Sequence, residues 1–215
     1  MKSYIFSLEA VTGMLVECYR AENNLETGGI LIGPKDQESI IIDSISSSIY
    51  AERQSYTYYQ SEQDVEMMNE VLRKYQKQGY EFKGYYHRHP GGMYDLSPGD
   101  LSTCAGILND ESYCINNTLL MCIITETQNN KLPIFLYIAS LGDDGNVIIK
   151  NISFKIFPKE CIEKCIKAKG GGHDEDNVSG QNNEEVEEHG KNRTLWAPKR
   201  ENNNNQLPTG EQRTQ

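Results

Sequence analysis

The sequence predicts an α+β (mixed α/β) fold: a single domain with a central curved β-sheet flanked by helices, followed by a disordered tail. Three observations carry this prediction. Apolar, strand-like runs predominate late in the folded region, helical segments with one apolar face fall between and around them, and the C-terminal end of the chain nearly lacks apolar residues. A length of 215 residues leaves room for a full hydrophobic core, and one domain over residues 1–168 is expected. Apolar residues make up only 37% of the chain, and the C-terminal end explains the low share. From Ala168 to Gln215 only Ala168, Val178, Val186, Leu195, Trp196, Ala197 and Leu207 are apolar. Such a stretch cannot bury enough area to offset its ordering entropy, so residues 169–215 are expected to be a disordered polar and acidic tail.

The elements follow in order. After a short strand at Tyr4 to Phe6, Ser7 caps a helix through about Arg20, with Leu8, Val11, Leu15, Val16 and Tyr19 on one side. Thr27 to Ile32 reads as a buried strand, Gly33 to Asp36 as a turn, and Ser39 to Ser46 as the return strand of a hairpin. The polar segment Ser47 to Ser61 holds Tyr50, Tyr56, Tyr58 and Tyr59, either as an exposed aromatic strip or as an edge strand with its tyrosines inward. Ser61 then starts a helix in which Val65, Met68, Val71, Leu72 and Tyr75 recur at helical spacing until Gly79 ends it. Tyr80 to His89 is a strand, and Ser97-Pro98-Gly99-Asp100 opens a helix to about Leu108, with Ser as the N-cap and Pro at the first helical position. Thr118 to Thr125, Pro133 to Ala139 and Val147 to Phe157 are three more strands, and Lys159 to Lys167 is a closing helix.

The net charge is −10, most of it before the tail, which disfavours a nucleic-acid surface because phosphate contacts need clustered Lys and Arg. Ser7, Glu9 and Thr12 interrupt the N-terminal apolar stretch too often for a signal peptide or a membrane span, so the expectation is a cytoplasmic protein without a membrane partner. The six cysteines form no C-x-x-C pair, and reduced thiols are the plain reading. Within the tail, Thr194-Leu195-Trp196-Ala197-Pro198-Lys199-Arg200 has the make-up of a short docking peptide; an inert tail is the plainer alternative.

The segment from Tyr85 to Asp100 carries the chemistry. On a strand, the spacing of His87 and His89 puts both imidazoles on one face, where they can share a metal. Pro90 ends the strand, Gly91-Gly92 permits a sharp excursion, and Ser97 starts the helix whose first turn bears Asp100. Two imidazoles and one carboxylate are the ligand count found when zinc keeps its fourth position open for water. Such a site needs a base, and Glu26, before Gly28-Gly29, is the candidate; spacing alone leaves Glu22, Asp43 and Asp95 open. Each residue also has a plainer reading: a hydrogen-bonded histidine, a helix cap at Ser97 with Asp100, a solvated loop acid at Glu26. Jointly those readings fare worse, because all five residues fall at places that fit a strand, turn and helix start.

His87-x-His89-Pro90, followed by Ser97 and Asp100 and preceded by Glu26-x-Gly28-Gly29, resembles the JAB/MPN metalloprotease family with its JAMM motif, in particular the prokaryotic-type members. The likeness covers most of the folded region and none of the tail. It implies that His87, His89 and Asp100 hold one Zn2+ per chain, that Glu26 is the general acid/base for a water, and that Ser97 helps to stabilise the oxyanion. It also implies a zinc isopeptidase or peptidase cleaving after the C-terminus of ubiquitin or a ubiquitin-like protein, with activating or conjugating enzymes of the same pathway as further partners. Tyr56, Tyr58, Tyr59, Gly91 and Gly92 flank the site in sequence and are candidates for guiding an extended substrate peptide. Three alternatives stand beside this reading: a non-catalytic MPN-type scaffold, a RadC-like protein of the same superfamily, and a closed structural zinc site with Cys104 as fourth ligand.

Overall fold

A computed structural model describes residues 3–22, 25–55, 58–113, 115–116, 118–125 and 133–170. The tail expected from residue 169 therefore lies, beyond Gly170, outside the described residues. Strand β1 (Tyr4–Ser7) passes directly into helix α1 (Leu8–Arg20) because Ser7 serves both. Its hydroxyl oxygen accepts from the Ala10 N–H at 2.9 Å, as an N-cap must, and its hydroxyl hydrogen goes to the Ile42 carbonyl at 2.7 Å.

The chain continues through β2 (Gly28–Pro34), β3 (Ile40–Ile41), β4 (Asp43–Ser46), β5 (Glu52–Arg53), β6 (Tyr58–Tyr59), α2 (Glu62–Gln76) and β7 (Tyr80–His89). It ends with α3 (Pro98–Leu108), β8 (Thr118–Thr125), β9 (Ile134–Leu141), β10 (Val147–Ile152), β11 (Phe154–Phe157) and α4 (Lys159–Gly170). Six strands form the central sheet in the order β10-β9-β8-β7-β2-β4. Its pairs are antiparallel apart from β7 with β8, where the connection runs through α3. A second sheet, β11-β1-β3, is parallel throughout, and β5 pairs with β6 as a separate ribbon.

Two expected strands are split. Within Ser39–Ser46, Ile40–Ile41 pairs with β1 while Asp43–Ser46 pairs with β2, and Ile42 between them donates its N–H to the Ile32 carbonyl at 2.8 Å. Val147–Phe157 likewise divides at Ser153 into β10 on the central sheet and β11 beside β1. Both runs are apolar on successive residues, so each can serve two sheets, and only tertiary pairing fixes where it switches.

Both faces of the central sheet are buried. On one, Ile30, Tyr85, Met121, Ile123 and Tyr137 pack with Val65, Met68 and Leu72 of α2 and Cys104 and Ile107 of α3. On the other, Leu31, Tyr86, Leu120, Cys122 and Leu136 pack with Phe6 of β1 and Ala10, Val11, Met14 and Cys18 of α1. Strand β7 reaches this arrangement through a bulge. Leu31 pairs with Gly84 but Ile32 pairs with Phe82, so Lys83 is an extra residue. The bulge resets the alternation: Phe82 and Tyr85 end on the same face, and the strand beyond Tyr85 carries His87 and His89 towards α3.

Gly84 makes the bulge possible, having φ of 154° and a backbone so close to β8 that a β-carbon would stand 1.9 Å from the Leu120 carbonyl oxygen. Gly79 also has positive φ, at 81°, but nothing lies within 4 Å of its would-be β-carbon. In urea unfolding, Gly79→Ala is expected to cost about 1 kcal/mol, the penalty of the left-handed conformation alone. Gly84→Ala, which adds the clash with β8, is expected to cost roughly 3 kcal/mol or more.

Candidate metal centre

His87 and His89 are 6% and 1% exposed, at the end of β7, and their Nε2 atoms lie 2.7 Å apart. Pro90–Gly92 forms a kinked turn in which Gly91 and Gly92 take φ of 76° and 80°, values that favour glycine. The chain thereby folds back so that the first turn of α3 meets the histidines. Asp100 Oδ1 is 3.1 Å from His87 Nε2, and Asp100 Oδ2 is 3.3 Å from His89 Nε2. The ligand atoms of these three residues all lie within 4.8 Å of one another.

The helix start fixes the carboxylate. Ser97 Oγ accepts from the Asp100 N–H at 3.2 Å, and Asp100 Oδ2 accepts from the Ser97 N–H at 2.6 Å, a reciprocal capping box. Burial works against the charge on Asp100, but the hydrogen bonds from His87 and His89 outweigh it and hold its pKa well below the usual carboxylate range. Burial also disfavours a charged His89, yet its pKa is raised, because the Asp100 bond and charge and the Glu26 charge all favour the imidazolium. The Tyr85 hydroxyl, beneath, donates to the Asp100 carbonyl at 3.3 Å, and its ring stacks on His87 at 6.0 Å.

Glu26 reaches the same place from β2. Gly28 pairs with His87, and a β-carbon on it would meet the Tyr86 carbonyl oxygen at 2.2 Å and the His87 β-carbon at 2.8 Å. The ladder continues with the Arg88 N–H donating to the Thr27 carbonyl at 2.7 Å, which brings Glu26 level with His89. Burial raises the Glu26 pKa, His87 and His89 oppose that, and Asp100 adds to it, so the carboxyl is coupled to all three residues of the cluster. Of the other acids, Asp43 is engaged elsewhere, by the Tyr75 hydroxyl at 2.6 Å and Lys159 Nζ at 3.1 Å.

Arg88, between the two histidines, is a buried anchor of this segment that sequence reasoning passed over. Its alternation sends it to the face opposite His87, where it is 1% exposed. The guanidinium donates to the Cys18 carbonyl at 2.6 Å, to the Leu25 carbonyl at 2.7 and 3.1 Å, and to the Glu22 carbonyl. It thus ties the last turn of α1 to the residue preceding Glu26. Beside it, Glu17 accepts from Thr27 Oγ1 and from Arg53 Nη2 at 2.9 Å, and Arg53 Nε donates to Thr27 Oγ1 at 2.9 Å. The residues on either side of Glu26 are therefore held by buried polar contacts while its own N–H donates to the Gln54 carbonyl at 2.8 Å.

The other expected site residues are placed as follows. Gly91 and Gly92 are exposed beside His89. Tyr56 lies outside the described residues, and so do the side chains of Tyr58 and Tyr59; their backbone pairs with Glu52–Arg53, next to the Gln54 that binds Glu26. Cys104 is fully buried in the core, 3.1 Å from the Tyr85 hydroxyl, where burial pushes its thiol up to about 12, and the group of ligand atoms within 4.8 Å of one another comprises His87, His89 and Asp100 without it.

The family model of prokaryotic homologs of the JAB domain matches residues 9–137, and the chain belongs to that family. No curated protein matches the chain. Among solved structures, the solution structure of protein DSY2949 from Desulfitobacterium hafniense aligns with a TM-score of 0.52 at 15% identity, over 72% of this chain and 93% of that one, and shares its fold. No helix among the described residues is long and apolar enough to cross a membrane.

Arg88→Met removes the donors to three backbone carbonyls and is expected to cost about 3 kcal/mol or more in urea unfolding. Amide exchange at Glu26 should accelerate in this variant more than exchange at Met121 in the centre of β8.

Proposed function

We propose that this protein is a zinc-dependent isopeptidase or peptidase that cleaves after the C-terminus of ubiquitin or a ubiquitin-like modifier, in deconjugation or in precursor processing. The observation that carries the reading is the convergence of His87, His89 and Asp100, with Glu26 level with His89. The donor set fits zinc. Two imidazole nitrogens and a carboxylate are a ligand set that zinc accepts, and these three offer their atoms within 4.8 Å of one another. His87 Nε2, His89 Nε2 and one Asp100 oxygen would hold the ion. When bound, zinc supplies Lewis acidity, acidifying a water and polarising a carbonyl.

The chain's own groups perform the rest. Glu26 takes a proton from the attacking water and returns it to the nitrogen that leaves, a task suited to a carboxyl whose pKa is raised by burial. Ser97 accepts a bond at its oxygen from Asp100, so its hydroxyl hydrogen remains available to the oxyanion that develops on the scissile carbonyl. An extended modifier tail would run between the β5–β6 ribbon and the turn at Gly91 and Gly92, with Tyr56, Tyr58 and Tyr59 as the sequence candidates for guiding it. Activating or conjugating enzymes of the same pathway, in the cytoplasm, would be its further partners.

Metal analysis by mass spectrometry should find about one zinc per chain, lost in His87→Ala/His89→Ala and retained in Cys104→Ser. On a panel of ubiquitin-like fusions, Glu26→Gln should lower cleavage by roughly 10²–10⁴ while keeping its zinc. A protein that takes up no zinc at neutral pH would instead be a non-catalytic scaffold.

A further inference from the structure

An apolar groove of about 270 Å³ opens between α4 and the β11-β1-β3 sheet, away from the metal centre. Ile5, Ile40, Phe157, Ile162, Cys165 and Ile166 line it. Phe157 is 43% exposed, a value that is costly to leave in water for a side chain of this size. We propose that the groove is the docking site of this chain's own segment Thr194–Arg200, with Trp196 as the anchor.

Three observations select that occupant. The first is where the tail departs: α4 forms one wall, and its last residue, Gly170, lies about one turn past Ile166. By chain statistics the number of connecting residues, 171–193, permits a reach on the order of 24–29 Å, enough to return along α4, whose length is roughly 18 Å. Tethering of this kind gives an effective concentration on the order of 1 mM, well above that of a second copy in solution.

The second is charge. With Lys159 paired to Asp43, Lys155, Lys164 and Lys167 still outnumber Glu160 and Glu163 on β11 and α4, although the chain as a whole carries −10. The stretch that must pass them is acidic, with Asp174, Glu175 and Asp176 and then Glu184, Glu185, Glu187 and Glu188. The third is composition. Leu195-Trp196 is the bulky apolar pair of an otherwise polar tail, and Trp196 is the chain's single tryptophan. An indole buries roughly 150–250 Å² when enclosed, which matches an uncovered apolar groove and leaves its N–H free for the rim.

The single tryptophan and the two exposed groove cysteines, Cys161 and Cys165, are native probes for the two sides of the contact. In the full-length protein, acrylamide quenching of Trp196 should be about threefold weaker than in a free peptide of residues 190–202, as a docked fraction of about two thirds requires. Ile166→Glu should restore quenching to the peptide's value with the circular dichroism spectrum unchanged. Trp196→Ser, which leaves the folded region intact, should speed alkylation of Cys165 about threefold, read by peptide mass spectrometry. Quenching equal to that of the free peptide, or alkylation unaffected by Trp196→Ser, overturns the proposal. Protection that falls on dilution also overturns it, by assigning the groove to the tail of a second copy.

Discussion

The close pairing of β2 with β7 is the constraint on which core and candidate site both depend. At Gly28 the two backbones approach so nearly that no side chain fits between them, and this contact holds Glu26 at the level of His89. A glycine there gives up packing and conformational restriction. The neighbouring residues offset that cost: Arg88 ties the approach segment to α1, and Glu17, Thr27 and Arg53 form a buried polar knot beside it. A carboxylate carried by a loop thus acquires the positional definition of a strand.

On the opposite side of the histidines, one pair of residues meets two requirements. Ser97 and Asp100 satisfy the open N–H groups at the start of α3, and the same carboxylate faces both imidazoles. A helix N-terminus favours negative charge, so the position that caps the helix best also keeps Asp100 ionised. Local secondary-structure chemistry and site chemistry therefore select the same residue types, and Ser97 and Asp100 cannot be assigned to only one of them.

Much of this was legible from the residues. Ser7, Ser61 and Ser97 each cap a helix where hydroxyl chemistry predicts, and their acceptor roles towards Ala10, Asp64 and Asp100 are present. The histidine spacing, the turn after Pro90 and the return of Asp100 follow from strand alternation and helix-start signals. What was not legible depends on distant pairing. Nothing in the run Ile40 to Ile42 says that it divides between two sheets, and nothing in Val147 to Phe157 marks the switch at Ser153. Arg88 carries no burial signal in the sequence and is buried because its face of β7 lies under α1 and the carbonyls that follow it. Glu26 was one acid among several by spacing; only the register of β2 against β7 separates it from the rest.

The extra residue at Lys83 has a bearing on how such a chain can change over evolutionary time. Since the bulge inverts the parity of β7, loss of a single residue there would rotate the strand's outer half by one position relative to its inner half. Arg88 would then point into the cluster, and the histidines would point under α1. Insertions between Gly92 and Leu96, in an exposed connection, carry no such penalty. Length variation in descendants of this sequence should therefore collect in that connection and be absent from the strand, which behaves like a reading frame set once, at Gly84, for everything downstream.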